Sequence, residues 1–177
     1  MVEITRDLLR GRAEHNEKML SNLEEVSLHQ QNIKSMQGIQ EYSKHLKILL
    51  LQNNLIDEIE CCNKFKELEY LNLAVNNVKT IKGLRRCESL RKFDLTLNFI
   101  DIENIQDSME ELEWNPYISE LYVMGNPCLD WPDCKDYIIA MVPSINRLDG
   151  IEITRGVKLA AKNKLKKMQK DLEELAA

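Results

Sequence analysis

The sequence predicts an α/β solenoid: a stack of similar coils with a parallel sheet along the inner, concave wall and short turns or helices outside. Three observations predict it. The stretch Leu68-Glu-Tyr-Leu71-Asn-Leu73-Ala-Val-Asn76-Asn-Val78 spaces its apolar residues as L-x-x-L-x-L-x-x-N-x-V. The same register recurs from Leu23, Leu46, Leu90 and Ile118. An asparagine follows the strand core at one fixed place, as Asn54, Asn76, Asn98 and Asn126. Together these are leucine-rich repeats, whose period of about 20–29 residues supplies one strand, one tight turn and one return segment per coil. The 177 residues, 44% of them hydrophobic, suffice for one continuous core.

Residues 1–22 are expected to cap the first coil, because a terminal coil otherwise opens its core to water. Thr5 is a suitable N-cap for a helix over residues 4–16, with Leu8, Leu9 and Ala13 as its apolar stripe. Residues 23–153 hold five repeats and a C-terminal cap. Their strand cores run Leu23–Leu28, Leu46–Leu51, Leu68–Leu73, Leu90–Leu95 and Ile118–Val123. Within each core alternate side chains point inward, so a buried leucine at the third inward position alternates with residues on the open face. The four asparagines form a structural ladder whose amides satisfy backbone groups that the turns strand. Gln31 takes that place in the first coil. An apolar residue follows two positions on, as Ile33, Ile56, Val78, Ile100 and Cys128.

The first coils are 22 or 23 residues long, which leaves room only for a brief outer turn. The later ones stretch to 28 and 27 residues, predicting helices over Ile102–Leu112 and Asp133–Val142. Pro143 then stops the second helix, and Ile145–Gly150 reads as a last, repeat-like strand. Residues 154–177 form a basic amphipathic helix with seven Lys/Arg against three Asp/Glu, so +4 there leaves −9 of the net −5 on residues 1–153. Its stripe Leu165, Met168, Leu172 and Leu175 follows helical spacing. With the core already closed at Leu148-Asp149, the stripe is expected to serve as a connector and to support weak self-association through residues 157–177.

Chemistry is sparse. His15, His29 and His45 lie on different coils, none at metal-ligand spacing, and no phosphate-binding, dinucleotide or nucleophile-elbow motif occurs. Asp94 and Asp149 are expected as isolated, solvated acids on the concave face. Five cysteines without a C-x-x-C argue against a disulfide framework or a zinc site and for the cytosol. No apolar run approaches the roughly 20 residues that span a membrane, and the N-terminus lacks the pattern of a secretory signal. The acidic body and the absence of a basic aromatic platform disfavour nucleic acid. The expectation is a non-enzyme without cofactor or metal.

Surface is what remains. The register puts Glu25, Ile48, Tyr70, Lys92 and Glu120 in one row across the concave face, and Ser27, Leu50, Asn72, Asp94 and Tyr122 in the next. A third row holds Ala74, Thr96 and Met124, a fourth Val75, Leu97 and Gly125. Apolar residues where strand geometry places solvent, rimmed by polar ones, suggest a protein partner. The candidate binding residues are therefore Ile48, Leu50, Tyr70, Asn72, Asp94, Leu97, Tyr122 and Met124.

Ala13-Glu-His-Asn16 and Ser27-Leu-His-Gln-Gln31 are more specific than repeat leucines, because the fold alone does not require them. Ala13-Glu-His-Asn16, Ser27-Leu-His-Gln-Gln31, Met124-Gly-Asn-Pro-Cys128 and Leu148-Asp-Gly-x-Glu-Ile-Thr-Arg155 resemble the dynein axonemal assembly factors of the tilB/seahorse type. The resemblance covers nearly the whole chain. It implies a cytoplasmic scaffold in ciliated or flagellated cells that helps preassemble axonemal dynein arms. Its implied partners are dynein assembly factors, co-chaperones or dynein chains. Members of that family usually continue through a charged linker into a β-sandwich domain, whereas this chain ends at Ala177 and has Gly156-Val-Lys158 where the family tends toward Ser-Glu-Arg. The resemblance therefore implies either a piece of a longer protein or a minimal form. Other leucine-rich-repeat subunits, such as a dynein light chain, a phosphatase regulator or a spliceosomal subunit, share the fold but not these stretches.

Overall fold

The computed structural model describes residues 2–13, 19–60 and 62–176. Five three-residue strands lie in chain order: β1 Glu25–Ser27, β2 Ile48–Leu50, β3 Tyr70–Asn72, β4 Lys92–Asp94 and β5 Glu120–Tyr122. Each pairs in parallel with the next, Val26 beside Leu49, Leu71, Phe93 and Leu121 in turn. Those middle residues are buried and their neighbours face out, so one sheet forms the inner wall of a leucine-rich-repeat solenoid. β6, Arg147–Leu148, continues it in parallel. β7, Ile151–Glu152, then adds antiparallel as the last strand of the sheet. The hairpin between them turns on Asp149 and Gly150, at φ 50° and 79°. Positive φ at both central residues is the type I′ turn that an Asp-Gly pair favours.

The outer layer changes along the stack. α2, Ile39–Tyr42, and a 3₁₀ turn at Cys62–Lys64 serve the short coils, and α3, Ile105–Leu112, and α4, Cys134–Met141, the long ones. At the N-terminus α1 is Arg6–Arg12, and the Thr5 hydroxyl accepts from the Leu8 amide at 3.2 Å. Residues 14–16 of the expected helix lie outside the described residues, and with them most of the Ala13–Asn16 tetrapeptide.

The asparagines stitch neighbouring coils. Asn76 Nδ2 donates to Leu73 O in its own coil and to Leu51 O in the coil before, at 3.1 and 3.0 Å, while its Oδ1 accepts from Ile56 N at 3.0 Å. Asn54, Asn98 and Asn126 repeat the pattern toward Ile33, Val78 and Ile100. Gln31 does not complete the series. Its longer side chain folds back onto its own turn, donating to His29 O and Gln30 O.

Two expectations about charge and the C-terminus are corrected. Asp149 is not a solvated acid: its side chain is 1% exposed and accepts from Val123 N and Met124 N at 2.8 and 3.1 Å. Lys135 Nζ, from α4, lies 2.9 Å from its second oxygen. The carboxylate thus closes the last coil as the asparagines close the others, and the hairpin turn buries it. Nor is the C-terminal helix a loose connector. α5, Arg155–Leu175, lies against α4, and Ala161, Met168 and Leu172 are buried in the common core with Leu165 packed at its edge. Lys158 Nζ donates to Pro143 O, and Lys164 Nζ sits 2.8 Å from Asp136, a bond that raises the Lys164 pKa. The stripe that lacked a place covers α4, so its apolar surface is spent within the chain. Of the four stripe residues Leu175 alone is exposed, at 56%.

α3 does an unforeseen job. The coil before it has no outer helix, so its backbone needs partners. Ser108 Oγ accepts from Ile81 N, the Glu111 carboxylate accepts from Leu84 N, Arg85 N and Arg85 Nε, and Asn115 Nδ2 donates to Leu84 O and Cys87 O. Glu111→Ala is expected to cost about 2–3 kcal/mol, the range for a bond to a charged group whose loss strands buried donors. Glu111→Gln, which keeps an acceptor, should cost less than half of that in urea unfolding.

Candidate functional site: the open face of the sheet and its rim

The open face is built from the outward residues of the strands. Lys92 stands at its centre, its Nζ 4.6 Å from the ring centroid of Tyr70 and 5.4 Å from that of Tyr122. A cation between two aromatic faces holds both rings upright. The Tyr70 hydroxyl accepts from Asn72 Nδ2 at 3.1 Å, and the Tyr122 hydroxyl donates to Glu120 at 3.1 Å. Asn72 and Asp94 each accept a backbone amide two residues on, from Ala74 and Thr96 at 2.9 Å. Partial burial raises the pKa of both tyrosines, aided at Tyr122 by its bond to Glu120, so both phenols stay neutral at physiological pH. Ile48 and Leu50 lie beside them, half-buried. The face is therefore ordered before any partner arrives: apolar rings and methyls with fixed polar groups among them.

Its chemistry is that of contact. Ser27 Oγ and His29 Nδ1 are 2.7 Å apart, but no carboxylate is bonded to that imidazole among the described residues. No group of His, Cys, Asp or Glu that could hold a metal ion occurs among them either. Cys128 and Cys134 are buried neighbours in which the hydrogen bond between the thiols lowers the pKa of the first and raises that of the second.

Leu97 and Met124, the other two candidates, are not in the sheet proper. They belong to a rim just past the strand ends, where the coils turn through the left-handed region at Gln30, Asn53, Val75, Leu97 and Gly125, with φ from 55° to 76°, and the first coil does so again at Asn32. Gly125 needs this freedom for a second reason, because a Cβ there would lie 2.5 Å from Leu97 Cδ2. Asn and Gly are ordinary at such a position. Valine and leucine are not, since a β-branched or bulky side chain there costs about 1–2 kcal/mol. Backbone bonds from Val75 N to Thr96 O and from Leu97 N to Met124 O stack the turns side by side. Leu55, Val75, Leu97, Phe99 and Met124 thus line one apolar rim, each between 41% and 55% exposed. Phe99 and Leu55, one residue past the ladder asparagine, were absent from the sequence-derived candidates. An apolar residue at the left-handed turn position is the signal that finds this rim.

The comparisons with known proteins add the lineage. No family model matches the chain. Dynein axonemal assembly factor 11 of Mus musculus is 42% identical over 174 residues, and protein tilB of Drosophila melanogaster 47% identical over 179. Each alignment covers 98% of this chain. Through its repeats the chain belongs to the tilB/dynein axonemal assembly factor 11 family. A member from Trypanosoma brucei brucei is 45% identical over 163 residues, covering 92% of the chain. The chain spans 36% of the mouse member's length and 45% of the fly member's. Among solved structures, a chain of the Drosophila melanogaster SNF/U2A′ complex superposes with a TM-score of 0.77 over 97% of this chain and 99% of that one. An internalin from Listeria monocytogenes does so at 0.54 over 69% and 33%. At 18% and 17% identity these neighbours share the leucine-rich-repeat fold.

Proposed function

We propose that the chain is a non-catalytic protein-binding scaffold that supports cytoplasmic preassembly of axonemal dynein arms, and through them ciliary or flagellar motility. Family membership supplies the process. One observation carries the binding role: the rim at Val75 and Leu97 is strained and apolar yet turned to solvent. Strain kept at a surface position where Asn or Gly would relieve it marks a functional demand. Rim and sheet together make a single site in which Leu97, Phe99 and Met124 are the anchors and Tyr70, Asn72, Asp94 and Tyr122 fix orientation. Exposed hydrophobic anchors beside preset polar groups suit the burial of one face of a partner's helix or loop. The partner this surface suits is a dynein assembly factor, a co-chaperone or a dynein chain.

Leu97→Asn combined with Phe99→Ser tests this. Asparagine accepts the left-handed backbone and serine removes an exposed ring, so the thermal midpoint should stay within about 2 °C of the parent or rise. Capture of axonemal dynein chains and their assembly factors from extracts of ciliating cells, quantified by mass spectrometry, should fall at least tenfold. Undiminished capture by a folded double variant would place binding elsewhere.

A further inference from the structure

α5 carries a second surface with a chemistry unlike that of the rim. With Ala161, Met168 and Leu172 buried, helical spacing turns Arg155, Leu159, Lys162, Lys166 and Lys170 to the opposite side, all exposed. This stripe spans residues 155–170, about 22 Å or four turns. Lys164 and Lys158 are held by the body and Lys170 Nζ lies 3.8 Å from Glu174 on the exposed surface, but Arg155, Lys162 and Lys166 have no carboxylate partner among the described residues. Leu159 sits among these cations with 61% of its surface exposed. The helix is +4 on a body of −9, so a rigid cationic strip projects from an acidic protein.

We infer that the outer face of α5 is a docking surface for an acidic protein helix. Carboxylates at i, i+4 and i+8 of such a helix would repeat about every 6 Å, the spacing of Lys162, Lys166 and Lys170. Leu159 supplies an apolar contact at one end. Charge complementarity of this kind sets encounter rate and orientation. The body's own charge selects against long polyanions. A nucleic acid running past the helix would meet the acidic body within the Debye length of about 8 Å, and α5 has no aromatic ring on which a base could stack. An anionic membrane would need the helix's apolar face, which α4 already covers. The surface is independent of the rim.

The test is fluorescence anisotropy with the purified chain at 50 and 300 mM NaCl. The probe is a fluorescein-labelled 16-residue helical peptide with glutamates on one face and leucine at one position. The peptide should bind at low salt and lose most of its affinity at high salt. The triple variant K162E/K166E/K170E should weaken binding at least tenfold, and Leu159→Ser severalfold without altering the salt dependence. Circular dichroism checks the fold, with K162Q/K166Q as the milder variant should the triple one unfold. Equal binding by the parent and a folded lysine variant would overturn the inference. So would tighter, lysine-dependent binding of a 16-nucleotide single-stranded DNA or of phosphatidylserine vesicles.

Discussion

Removing residues 157–177 should lower the thermal midpoint by 10 °C or more. The helix buries Ala161, Met168 and Leu172 against α4 and shields α4 in turn, and the Lys164–Asp136 bond and the Lys158 contacts go with it. Full burial of a large apolar side chain is worth about 1.5–3 kcal/mol. With both sides of the contact counted, about 5 kcal/mol is a fair expectation, and for a chain of this size each kcal/mol moves the midpoint by about 2–4 °C. Met168→Asp alone should reproduce a large part of the loss, since it places a charge where the core is dry. Differential scanning calorimetry of the truncated and full chains decides the matter. A change of less than about 2 °C would mean that α5 rests on the solenoid without holding it.

The second large effect is expected at the centre of the ladder. Asn76→Leu preserves bulk but removes an acceptor from Ile56 N and a donor from Leu51 O, Leu73 O and Ala74 O, in a residue only 4% exposed. Stranded buried groups cost about 1–3 kcal/mol each. A total of about 3 kcal/mol or more, or a midpoint lower by roughly 6–12 °C, should follow. Asn76→Asp keeps the Oδ1 acceptor but sets a second carboxylate oxygen against the carbonyls of Leu51, Leu73 and Ala74, so it should cost at least as much as Asn76→Leu. Chemical denaturation of the two variants measures both losses.

The repeats were legible because the period of the leucines sets strand, inward face and register at once. Paired residues Glu25, Ile48, Tyr70, Lys92 and Glu120 follow directly from it. What stayed hidden depends on contacts that sequence spacing does not encode. Asp149 reads as one more surface acid until the hairpin at Asp149-Gly150 folds it under α4 and beside Lys135. The stripe on α5 was visible as a stripe, but nothing in its spacing says that α4 is what it covers. Glu111 reads as a helix-surface glutamate, and its role follows only from the bare backbone of the neighbouring coil. The rim lay between these cases. Val75 and Leu97 were placed in the right row, but their strain is a property of backbone angles, and Phe99 enters only once the turns are stacked.

In the proposed role the rim is the part of the chain that grips its dynein-assembly partner. The direct measurement is made in ciliated cells whose own family member has been replaced by the parent protein or by the Leu97→Asn/Phe99→Ser variant. Protein level and axonemal dynein arms are scored together, by immunoblot and by electron microscopy of axoneme cross-sections. Protein levels should be equal, with arms restored by the parent and missing with the variant. Full arms with the variant at parental levels would contradict that role.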